Sequence, residues 1–141
     1  MMFVSLALLV ALAPSGTSHE PDYVATLVGR AFLRAVAERD VSRAKRLCAS
    51  TVNFDGIEAS GQIVHRLLKQ MTSRMPEGYQ FKAVRVLSYR DAVTRFGRPP
   101  ARIRIAKPAT AVVIFGRLPK LGLITILNKQ RGRWRVVALT D

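Results

Sequence analysis

Helical and extended hydrophobic patterns occupy different stretches of this chain, and that separation limits its possible folds more than any other feature. Between residues 23 and 39, Val24, Leu27, Val28, Ala31, Phe32, Ala35 and Val36 recur at helical spacing, with Arg30, Arg34 and Glu38 on the other side. Asp40 is placed to cap a second helix over 41–49, and Ser60 a third carrying Val64, Leu67, Leu68, Met71 and Met75 on one stripe. A short strand with a turn, 51–57, separates those two helices. Residues 79–87 alternate like a strand, and Ser88-Tyr89-Arg90-Asp91 matches a capping box that opens a short fourth helix. Gly97 closes that helix and Pro99-Pro100 stops it. Strand patterns then follow at 101–105, 109–115, 121–127 and 134–139, joined by connections of hairpin length. Both sets must bury their apolar sides against a shared surface, which predicts an α+β domain with an antiparallel sheet and helices packed on one face.

With 141 residues, the chain is sized for one such domain, expected over 19–141. The apolar run at 3–13 (FVSLALLVALA) is too short to cross a bilayer as a mature helix but suits the core of a secretory signal. Residues 1–18 therefore read as a signal peptide cut after Ser18, with an uncleaved N-terminal anchor as the alternative. Export gives a secreted or periplasmic protein without a transmembrane span in its mature chain.

Charge is the compositional outlier. Lys and Arg number 23 against 9 Asp and Glu, for a formal net charge of +14, and 17 of the 23 are arginine. Such a field attracts nucleic acid, acidic polysaccharide or anionic lipid in a salt-dependent way. The arginines run from Arg30 to Arg135 without forming one block, which equally describes a solvated basic surface. Cys48 is the single cysteine, so neither an intrachain disulfide nor a cysteine-based metal site is available. It reads as a buried hydrophobe on the second helix.

The order helix, helix, short strand, helix, then antiparallel strands resembles the nuclear transport factor 2-like superfamily. Phe32-Leu33-Arg34-Ala35-Val36-Ala37-Glu38-Arg39-Asp40 resembles the opening helix of those domains. The stretch from Leu47 to Phe54-Asp55-Gly56 resembles their second helix and first short strand, and Gly132-Arg133-Trp134-Arg135-Val136-Val137 their closing strand. The resemblance implies a cone-like, strongly curved antiparallel sheet wrapped around three N-terminal helices, here with an extra short helix. Relatives resembling ketosteroid isomerase use a tyrosine on the first helix and an acidic base near the first short strand. The matching positions hold Phe32 and, at or beside the base, Phe54, with Asp55 one residue along and on the opposite face of an extended segment.

Asp55, near Glu58, and His65, beside the third helix's stripe, are the candidate acid–base residues. Each has a plainer reading, a turn aspartate before Gly56 and a boundary histidine. Phe32, Phe54, Leu68, Ile103, Trp134 and Val136 are the expected pocket lining, on the reading that the concave side of the sheet keeps a cavity. Spacing of two puts Arg131, Arg133 and Arg135 on one strand face, and Arg102 with Arg104 on another, giving an anion-binding face if those strands are neighbours. The residues favour an exported domain that binds a small apolar ligand or a protein partner without catalysis, possessing no cofactor or metal site and able to pair through its sheet as a homodimer. The alternatives are an isomerase, dehydratase or cyclase working inside the cone, which needs two converging ionisable groups, and salt-sensitive binding of anionic polymers.

Overall fold

The computed structural model describes residues 22–80, 84–118 and 121–141. The expected signal peptide at 1–18, and residues 81–83 of the strand expected over 79–87, lie outside these.

Helix α1, Tyr23–Ala37, starts at Asp22, whose carboxylate accepts from the backbone N–H groups of Val24 (2.8 Å) and Ala25 (3.3 Å) and so satisfies donors that the first turn leaves free. Helix α2, Val41–Arg46, is capped by Asp40 through the Arg43 N–H at 3.1 Å. It is shorter than its apolar pattern predicts. The chain extends at Cys48, so Cys48 belongs to strand β1, Cys48–Phe54, and not to a helix. β1 turns through Asp55-Gly56 into β2, Ile57–Ser60, pairing Phe54 with Ile57 across a two-residue loop. Asp55 (φ 51°) and Gly56 (φ 101°) both have positive φ, as a type I′ hairpin requires. Helix α3, Gln62–Ser73, is preceded by Gly61 and has no side-chain cap, Ser60 being the last residue of β2.

Strand β3, Val84–Ser88, leads directly into α4, Tyr89–Phe96, where the Ser88 hydroxyl accepts from the Asp91 N–H at 3.1 Å, as the capping-box pattern predicts. The strand expected at 101–105 does not form. That segment crosses the sheet as turns and bends between Pro100 and a 3-10 turn at Pro108–Thr110. Three long strands follow: β4, Val112–Leu118; β5, Leu121–Gln130; and β6, Arg133–Thr140. The β5–β6 loop, Arg131-Gly132, again has two positive φ angles, 49° and 77°.

The molecule is a mixed α+β fold with an open six-stranded sheet in the order β2-β1-β6-β5-β4-β3. Neighbours are antiparallel except β1 and β6, which run parallel. One face carries the main core, in which Phe32, Leu33 and Val36 of α1 and Val64 and Leu68 of α3 pack against Ile114, Leu127 and Val136. Contrary to the expectation of one covered face, the other is covered too. Val113, Ile126 and Ala138 point there and pack with Ala92 of α4 and with Ile103. A register shift between Ile126 and Leu127 doubles the opposing strand at Val137, which separates Ala138 from Trp134 and Val136 and sends it to that second face.

Candidate functional site

The parallel pairing of β1 with β6 brings together basic residues that are far apart in sequence. The Val136 N–H donates to the Leu47 carbonyl at 2.9 Å, fixing the end of α2 beside the start of β6. Arg135 then donates through Nη1 to the Arg46 carbonyl, a group left without an intrahelical partner where α2 stops. This contact holds the Arg135 guanidinium and sets Arg46 next to it. The β5–β6 turn adds Arg131 and the strand's first residue adds Arg133.

These four arginines line one surface cleft of about 750 Å³ with Cys48, Ala49, Ser50 and Gln130. No carboxylate stands among those lining residues. The two ion pairs among the described residues, Arg43–Glu38 at 3.9 Å and Arg102–Asp55 at 3.0 Å, involve none of the four. Guanidinium groups so placed offer forked donors to phosphate, sulfate or carboxylate oxygens. Cys48, at the cleft wall, supplies no nucleophile. Burial pushes its thiol up to about 12, against a smaller opposing pull from Arg135, and leaves it protonated at neutral pH.

Arg102 and Arg104 do not extend this face. They lie on the irregular segment and not on a strand, and Arg102 stands by Thr140, at the other end of β6. The seven steps from Arg133 to Thr140 span about 23 Å. Its Nε and Nη2 donate to Asp55 Oδ1 at 3.2 and 3.0 Å, and the Thr140 hydroxyl donates to the same oxygen at 2.8 Å. Asp55 is therefore a clamp between turn, strand end and crossing segment. The Thr140 hydrogen bond first, and Arg102 second, hold its carboxyl below the usual range, the reverse of what a general base in an apolar cavity requires.

Asn53, which the sequence does not single out, organises this corner. Buried to 2% exposure, it accepts from the Gly56 N–H at 2.7 Å and donates to Glu58 Oε1 at 3.2 Å and the Arg102 carbonyl at 3.0 Å. The Asn-x-x-Gly spacing was the available signal, since an Asn side chain folds back readily on a turn. His65 is half-buried on α3, and its ring takes part in no hydrogen bond or ion pair among the described residues. No three His, Cys, Asp or Glu side chains among the described residues stand close enough to hold a metal ion.

The residues expected to line a pocket divide between the two faces. Phe32, Leu68 and Val136 are fully buried in the main core, with Phe54 and Trp134 half-buried against it. Ile103 lies on the opposite side of the sheet, in the second cluster. Arg46 is the arginine of the cleft that the sequence pattern does not single out. Only the parallel strand pair joins it to Arg135, 89 residues away.

No protein-family model matches the chain, and no curated protein matches it. No helix among the described residues is long and apolar enough to cross a membrane.

Proposed function

We propose that this protein is an exported, non-catalytic member of the nuclear transport factor 2-like superfamily that binds anionic polymers through the cleft of Arg46, Arg131, Arg133 and Arg135. One observation carries the functional part: four arginines line one concavity whose lining contains no carboxylate. In a chain of net charge +14, the surrounding field adds to this local attraction. The superfamily reading is supported by the element order, two helices, a short hairpin, a helix, then β3 to β6, with a short helix inserted after β3. The conical curvature belongs to that reading, and export rests on the apolar run at 3–13.

The cleft lining includes no aromatic residue, so bases have no platform on which to stack. Recognition is then of charged oxyanion groups along a polymer, with sulfated or phosphorylated chains as the ligand class. The catalytic alternative needs converging titratable groups. Asp55 is committed to Arg102 and Thr140, and Cys48 is protonated, which argues for binding.

A salt titration of heparin binding tests the reading. Affinity should fall steeply with salt, and Arg133→Gln should flatten the slope of log K against log salt by about one. Binding that is equal at low and high salt would rule the proposal out.

A further inference from the structure

The second covered face of the sheet holds a cleft that polymer binding does not use. Its floor is the β4–β5 surface, including Phe115 and Ile124, and its wall is α4, including Tyr89, Val93 and Phe96. Pro99-Pro100, whose rings fix the backbone, closes one side. Its volume is about 200 Å³. An apolar cavity of about 150 Å³ holds benzene, so this one admits a single ring with a short substituent. Phe96 is 57% exposed at the mouth, with its ring centroid 4.9 Å from that of Phe115 and the planes at 46°. A ring seated against this pair meets two aromatic faces or edges and removes exposed apolar surface from water.

Charge at the rim completes the specification. Arg98 and Arg102 line the cleft, against one carboxylate side chain, Asp141. Arg102 spends Nε and Nη2 on Asp55, while Arg98 forms no ion pair with any described carboxylate. We propose that this cleft binds a single-ring aromatic carboxylate, its ring seated against the Phe96–Phe115 pair and its carboxylate on Arg98. The site is independent of the arginine cleft at the opposite end of β6.

Calorimetric titration of the full chain with phenylacetate, phenylacetamide and phenethylamine tests this. Phenylacetate should bind with a dissociation constant on the order of a millimolar or tighter, a range open to a ligand of about ten non-hydrogen atoms. The amide should bind about tenfold more weakly and the amine more weakly still. Val93→Trp, which fills the cleft, should abolish binding. Because that half-buried position bears on packing, exposed Arg98→Gln provides the second reading and should cost phenylacetate about tenfold without affecting the amide. Equal affinity for all three compounds, no phenylacetate binding, or phenylacetate binding indifferent to Arg98→Gln would overturn the proposal.

Discussion

Asp55 gathers three hydrogen bonds on one carboxylate oxygen while holding a left-handed backbone angle, so one residue serves both turn and tertiary contact. Its depressed carboxyl pKa gives a defined sign. Stabilisation is fully present above the unfolded value near 3.9 and is lost as pH falls through the lower folded value. Asp55→Asn tests this, because asparagine tolerates the same φ and keeps an acceptor but has no charge. The variant should be less stable than the parent at about pH 7, and urea unfolding should show the gap closing as pH falls through and below the ordinary carboxylate range. A gap independent of pH would contradict the assignment. Cys48 has the opposite character. With its thiol raised to about 12 and only 8% exposed, it should resist a thiol reagent at about pH 8 until the chain unfolds, so labelling should track unfolding. Fast labelling of the native protein would contradict the buried placement.

Between elements, α1 packs closely on β4. A Cβ on Gly29 would overlap Ile114 Cδ1, and Gly116 leaves space that Leu33 fills. Gly29→Ala should destabilise by about 1 kcal/mol, overpacking of about 2 kcal/mol being partly offset by alanine's helix preference of about 1 kcal/mol. Ile114→Val removes the clashing methyl, so the double variant should be more stable than the sum of its single effects in thermal unfolding. Simple additivity would place the contact elsewhere. The long helices were legible because their apolar residues recur at helical spacing, although the face that α1 buries runs through Ala25, Gly29 and Leu33 with Phe32 and Val36 and leaves the expected Val24 and Leu27 exposed. The turns at Asp55-Gly56 and Arg131-Gly132 were legible because few residues tolerate two positive φ angles. The segment 101–105 misled because Ile103 and Ile105 alternate with arginines as a strand would, yet they bury themselves under α4 without joining the ladder. Cys48 and Ala49 misled for a related reason: their burial arises from the β1–β6 pair, which a local helical period cannot distinguish from a helix face. The bulge at Val137 leaves no mark in the alternation before it.

At the scale of the whole molecule, the question is whether a net charge of +14 acts as a diffuse field or through one place. Three arginines of the cleft lie near one another in sequence, but the fourth, and the contact that orients Arg135, come from the end of α2. Basic composition was therefore legible and its convergence was not, since convergence depends on a parallel strand pair between distant segments. The central claim is that this cleft, and not overall charge, binds anionic polymers. The most direct measurement compares heparin affinity and its salt dependence for two charge-matched triple variants. One carries Arg46→Gln, Arg131→Asn and Arg133→Gln, leaving Arg135 in place to cap α2. The other carries Arg30→Gln, Arg66→Gln and Arg90→Gln at exposed positions outside the cleft. Each lowers the formal charge by the same amount. The account predicts that the cleft variant loses about two to three from the slope of log K against log salt while the surface variant stays close to the parent; equal losses in the two would contradict it.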